Sequence, residues 1–162
     1  MFGVQLLVQV AFITVHVSGV VFQDCGSAYD LTAVTIEGCE MRPPCFVTLG
    51  ETVPVNIEFY ARNFVSRELD QDVVLSINFV NLRPDVTPER CEVESVVCPV
   101  VINAISSLTS VMSVPTSMAL NRRGFLRWRV YNESGQQVLC YSVLVQTQSP
   151  FQKLMKQLNK TG

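Results

Sequence analysis

Six cysteines, Cys25, Cys39, Cys45, Cys91, Cys98 and Cys140, set the narrowest limits on what this chain can fold into. They follow an apolar N-terminal stretch. Met1 to Phe22 carries no formally charged side chain, and Val4 to Val17 is apolar except for Gln5, Gln9, Thr14 and His16. Val17-Ser18-Gly19 offers the small residues a signal peptidase needs, so residues 1–19 read as a secretory signal with Val20 as the new N-terminus. The n-region lacks Lys and Arg, but an uncleaved anchor fits less well, because the apolar core is short for a span and interrupted by amides. An even cysteine count behind such a signal implies three disulfides. A zinc site fits badly: no Cys-x-x-Cys pair exists, and once His16 leaves with the signal the mature chain has no histidine. Spacing alone does not choose among the connectivities that six cysteines allow. The shortest loops pair Cys39 with Cys45 and Cys91 with Cys98, leaving Cys25 and Cys140 to tie the chain ends. On a loop-entropy model the long bridge contributes roughly 4–5 kcal/mol and each short one roughly 2–3 kcal/mol.

The hairpin near the C-terminus carries the clearest secondary-structure signal. Leu126, Trp128 and Val130 alternate with Arg127 and Arg129, a period of two that a half-buried strand requires and a helix does not produce. Asn132-Glu133-Ser134-Gly135 is turn chemistry, and Val138 to Val145 is the returning arm. Further strands are expected over Leu31–Glu37, Phe46–Leu49, Thr52–Asn63 and Val73–Asn81, with Asn63–Asp72 a polar surface connection. Val53, Val55, Ile57 and Phe59 share one face of the third strand; Val73, Leu75, Ile77 and Phe79 share one face of the fourth. Prolines mark Cys39–Cys45 and Arg83–Arg90 as loops. Ser106–Ser113 is Ser/Thr-rich and fits strand or loop. Val114–Leu120 reads as extended and Asn121–Gly124 as a turn. At the tail, Phe151, Leu154, Met155 and Leu158 follow helical spacing, with Ser149 as N-cap, Pro150 at the first helical position, and Lys153, Lys156 and Lys160 off the apolar stripe. Short strands at regular spacing, with no helix expected inside the domain, make an all-β sandwich.

Several functions are excluded or disfavoured. A net charge of −2 gives no electrostatic case for nucleic acid. Without histidine, Ser–His–Asp and Cys–His catalysis are closed. Asp70 with Asp72, Glu92 with Glu94, and Asp24, Asp30, Glu37 and Glu40 lie in expected loops or strand ends, where solvated carboxylates ordinarily sit; a catalytic pair needs a cleft that separates their pKa values. No calcium-loop pattern occurs. The chain is therefore not expected to be an enzyme, and no cofactor or metal is implied. The apolar strand faces make an ordinary core or stand apart around an apolar ligand; periodicity leaves both open.

The order of motifs adds to this. Asp24-Cys25-Gly26-Ser27, Gly38-Cys39 to Pro44-Cys45, Gly50, Cys91 to Cys98-Pro99, Val114-Pro115, the Trp128 strand and the Cys140 strand together resemble the MD-2-related lipid-recognition (ML) domain family, and within it the Niemann-Pick type C2 proteins and mite group 2 allergens. The resemblance covers nearly all of Val20 to Gln148. It implies an immunoglobulin-like β-sandwich of two antiparallel sheets, with pairings Cys25–Cys140, Cys39–Cys45 and Cys91–Cys98, and a sterol, fatty acid or other lipid tail held between the sheets. By position, Val55, Ile57, Phe59, Leu75, Ile77, Phe79, Leu126, Trp128, Val130 and Leu144 are candidate linings, and Thr116 and Leu120 are candidates for the mouth. Val100 to Ser107 lacks the glycine and aromatics the family usually carries there, and Thr116 stands where an aliphatic residue is common. These departures bear on which lipid is held more than on the fold.

The domain plan is a signal over 1–19, a lipid-recognition sandwich over 20–148 and a helical tail over 149–162. Asn132-Glu133-Ser134 and Asn159-Lys160-Thr161 are glycosylation sequons, the first expected at an exposed turn. The tail helix either packs back on the sandwich by its apolar stripe or touches a membrane. The expected protein is a secreted or lysosomal monomeric lipid carrier, in transient contact with a membrane or receptor. The alternative is an innate-immune module that presents a microbial lipid to a receptor.

Overall fold

The computed structural model describes residues 19–91 and 95–162. Most of the expected signal, residues 1–18, lies outside them, as do Glu92 and Glu94. One sheet is built from β2 (Asp30–Ile36), β4 (Thr52–Tyr60), β9 (Ile105–Ser113) and β7 (Asp85–Thr87), in that order. The other runs β1 (Gln23–Asp24), β11 (Gln137–Gln148), β10 (Arg123–Asn132), β5 (Leu69–Ile77) and β6 (Val80–Leu82). Here β3 (Cys45–Thr48) adds to β11 and β8 (Arg90–Cys91) adds to β5. All pairings between these strands are antiparallel except β3 with β11. The one helix among the described residues, α1 (Pro150–Lys160), follows β11 directly.

The alternation in β10 explains its central place. Leu126, Trp128 and Val130 are fully buried while Arg127 is exposed, so one face meets the core and the other meets water. Trp128 stands opposite Val73 on β5 and Tyr141 on β11. Val55, Ile57 and Phe59 of β4 and Leu108 and Met112 of β9 supply the facing side. In β9 the hydroxyl residues divide by face. Ser107 and Thr109 are exposed and bond the side-chain oxygen of Asn56, whereas Ser110 points inward. That placement settles 106–113 as strand, which Ser/Thr content alone left open.

Besides β7 and the first residue of β8, which form strands inside the expected Arg83–Arg90 loop, three segments depart from the sequence reading. First, β5 begins at Leu69, inside the stretch expected to be a surface connection. Its polar residues alternate with buried Leu69 and Gln71, and Asp70 and Asp72 are held by Arg90 and Arg83. Second, the strand expected over 73–81 breaks at Asn78 (φ 51) and Phe79 (φ 65), a tight turn that returns as β6. Phe79 therefore leaves the inner face and is fully exposed. Third, 114–122 is a run of turns and irregular chain rather than an extended strand, and Gly124 lies inside β10 rather than in a turn.

The disulfides join Cys25–Cys140, Cys39–Cys45 and Cys91–Cys98, with Cα separations of 5.0, 5.0 and 6.0 Å. The long bridge fixes the start of the domain to β11, where Cys25 N–H also donates to the Cys140 carbonyl.

Gly124 allows the close approach of β5 to β10. A Cβ there would lie 2.0 Å from the Ser76 carbonyl oxygen and 2.6 Å from Ile77 Cδ1. Gly124→Ala is expected to destabilise the domain by about 2–3 kcal/mol, lowering Tm by roughly 5–10 °C in thermal denaturation; an unchanged Tm would show that the two strands separate freely at this point.

Candidate functional site

The space between the sheets is the site the apolar faces point to. Val55, Ile57, Phe59, Leu75, Ile77, Leu126, Trp128 and Val130 all line it and are buried. Leu144 does not. The pairing of Trp128 with Tyr141 and of Leu126 with Val143 puts Tyr141 and Val143 inside, so Leu144 falls on the outer face opposite exposed Phe125. Phe79 is likewise outside, for the turn geometry given above. Thr116 and Leu120 sit on the irregular 114–122 segment and are exposed. Residue parity within β11 is the signal for Leu144: its same-face neighbours Ser142 and Gln146 are polar, whereas Tyr141, Val143 and Val145 form the apolar face.

Polar groups cross this interior in a defined order. Trp128 Nε1–H donates to Gln71 Oε1 at 2.9 Å, and Gln71 Nε2 donates to Ser110 Oγ at 2.7 Å and to the Pro88 carbonyl at 2.8 Å. Gln71 belongs to one sheet and Ser110 to the other, so one side-chain amide bridges them. Tyr29 packs flat on Phe59 at 5.5 Å between ring centroids, and its hydroxyl meets Ser66 Oγ and the Phe64 carbonyl. Tyr141 differs. It is fully buried, stacked near Trp128 at 6.1 Å with Phe22 edge-on at 6.3 Å, and among the described residues its hydroxyl has no hydrogen-bond partner. Burial holds that phenol protonated, well above the usual tyrosine range. Gln71 and Tyr141 were both missed from sequence, Gln71 because it lies in a stretch whose charges look like surface.

A concavity of about 440 Å³ lies under α1. Lys153, Lys156 and Lys160 face Glu51, Phe46 and Glu40 across it. Lys153 pairs with Glu51 and Lys160 pairs with Glu40. Lys156 Nζ sits 3.2 Å from the Phe46 ring centroid and donates to Gln148 Oε1 at 3.0 Å. Desolvation, with Lys160 nearby, lowers the Lys156 pKa; the Lys160 hydrogen bond and charge hold the Glu40 carboxyl below its ordinary range. The helix thus meets the sandwich through its basic side, the reverse of packing by the apolar stripe.

The carboxylates behave as surface groups. Asp30 pairs with Arg62, Asp70 with Arg90 and Asp72 with Arg83, while Asp24 Oδ1 accepts the N–H groups of Gly26 and Ser27 in a local turn. Such exposed pairs contribute little each. Among the described residues no helix is long and apolar enough to cross a membrane.

Comparison with known proteins agrees with this architecture. The family model of the ML domain matches residues 19–147. A crystal structure of a Niemann-Pick type C2 protein from Japanese carpenter ant superposes with a TM-score of 0.63 at 16% identity, covering 79% of this chain and 99% of that chain. No curated protein matches the chain in sequence.

The two sequons sit in different settings. Asn132 was expected at an exposed turn, but it is only 5% exposed. Its Oδ1 accepts from Ser134 N–H, Ser134 Oγ–H and Gln136 N–H, organising the hairpin turn from inside. Asn159 is exposed on the last turn of α1. In protein made through a eukaryotic secretory route, glycopeptide mapping is expected to find sugar on Asn159 and none on Asn132; occupancy at Asn132 would mean that this turn forms only after modification.

Proposed function

The chain belongs to the ML domain family, and on that premise we propose that it is a secreted, non-enzymatic carrier that holds a sterol, fatty acid or related lipid between its two sheets. The observation that carries the reading is the Tyr141 hydroxyl. A buried phenol without a partner costs about 1–3 kcal/mol, and Phe would fill the same volume without that cost. Such a group supports an interior that opens around an amphiphile and uses the hydroxyl to meet the ligand's one polar atom. Because burial keeps the phenol protonated, it is a donor across the physiological range.

The driving force is transfer of apolar surface from water. Burying roughly 400–600 Å² of a lipid at about 25 cal/mol/Å² gives roughly 10–15 kcal/mol before association and ordering costs. Selectivity among tails is loose, since one methylene contributes little. Admitting a lipid needs the sheets to part. The 114–122 segment is the opening this reading uses: its middle is irregular, and its ends are held, Val114 by Gly50 and Glu51, and Ala119, Asn121 and Arg122 by Thr147. Thr116 and Leu120 lie on it.

Native mass spectrometry of the secreted protein, with extraction of what co-purifies, tests this reading. A sterol or fatty acid near one-to-one is expected, and quenching or shift of Trp128 emission on adding it back. Failure to take up any offered sterol, fatty acid or phospholipid would sink the proposal. Tyr141→Phe is expected to leave the unliganded Tm unchanged or higher while weakening binding of a hydroxyl- or carboxyl-bearing lipid by about 5–10-fold. Equal affinities for the two proteins would remove Tyr141 from the site.

A further inference from the structure

Helix α1 is locally well made yet has no buried residue. Ser149 Oγ accepts the Gln152 N–H, Gln152 Oε1 accepts the Ser149 N–H, and Pro150 opens the first turn. From behind, Lys153 and Lys160 hold it to Glu51 and Glu40, Lys156 rests on Phe46, and Gln152 Nε2 donates to Asn121 Oδ1. With the basic side turned in, the apolar side faces out. Phe151, Leu154, Met155 and Leu158 are 69%, 50%, 42% and 56% exposed. The family match ends at residue 147, three residues before α1 begins, so the helix is an addition to the sandwich rather than part of its core.

We propose that α1 is a bilayer-docking element, whose Phe151, Leu154, Met155 and Leu158 insert into the interfacial region of a lipid membrane while its lysines stay anchored to the sandwich. The pattern is that of an interfacial helix: one apolar face, one lysine face, and a segment that is not hydrophobic overall. A second copy of this chain is a poor occupant. The four side chains expose on the order of 400 Å², about half of the 800 Å² per partner that a stable protein interface buries. A bilayer needs no complementary groove and accepts so small a face. Because Lys153 and Lys160 are already paired with carboxylates, docking is apolar rather than charge-driven and does not require anionic lipid. The Gln152–Asn121 bond sets the first turn of α1 against the 114–122 segment. The docking stands on α1 itself and does not depend on what the sandwich holds.

Flotation of the full chain with phosphatidylcholine vesicles tests this, alongside Leu154→Ser/Leu158→Ser, whose side chains touch no core. The wild-type protein is expected to float, and the double variant to lose about tenfold or more in partition, with its melting unchanged. Raising salt to about 0.5 M is expected to change partition less than twofold. Absence of vesicle binding, equal binding by the variant, or loss of binding with salt would each overturn the proposal. So would a concentration-dependent dimer in sedimentation that the same substitutions abolish without any flotation. Lipid uptake measured on both proteins keeps the readings apart. Docking with no uptake upholds α1 and overturns the carrier; uptake with no docking does the reverse.

Discussion

The amide of Gln71 is the contact on which the interior depends. It accepts from Trp128 within its own sheet and donates to Ser110 in the other, so it fixes both the rotamer of the largest core side chain and the facing of the two sheets. In a low-dielectric interior such a bridge is strong because every member is satisfied, and its loss would strand an indole N–H as well as an amide. Aliphatic packing alone leaves two sheets free to slide by a fraction of a residue; a directional bond does not. Around this fixed point Phe59, Leu75, Leu126 and Tyr141 take single positions. Tyr141 is the exception, since its buried hydroxyl has no partner among the described residues.

The tail shows the opposite balance. Ordinarily an amphipathic helix beside a β-sandwich buries its apolar stripe, because apolar transfer outweighs exposed ion pairs. Here the outer surface near β3 presents Glu40, Glu51, Gln148 and the face of Phe46, which match a lysine side and offer an apolar stripe little to cover. The helix follows β11 with a single intervening residue, so it has little freedom to seek another surface. Its orientation is a consequence of where the chain leaves the sheet and what waits there.

Much of the fold was legible in the sequence, for reasons tied to particular residues. The alternation of Leu126, Trp128 and Val130, and that of Val53 to Phe59, can only be strands with one buried face. The disulfide set followed from loop length together with the resemblance. The misreadings share one cause: the identity of a residue was clear but its register was not. Phe79 continued an apolar series and was assigned inward, whereas positive φ at Asn78 and Phe79 ends β5 and turns it out. Leu144 shares its face with polar Ser142 and Gln146, and its pairing with Phe125 shows that it points away from the interior. Asp70 and Asp72 disguised the start of β5 because their arginine partners come from residues 83 and 90, too far along the chain to be read locally.

The sequence by itself determined the class of fold and the presence of a C-terminal helix, because both depend on composition and short-range period. Only the tertiary structure decided which apolar residues look inward, that the Asn132 side chain is buried in its turn, that the Tyr141 hydroxyl has no partner among the described residues, and that α1 shows its apolar face outward. Those outcomes rest on pairings between residues tens of positions apart, and strand register, unlike strand period, is not written in any local stretch of chain.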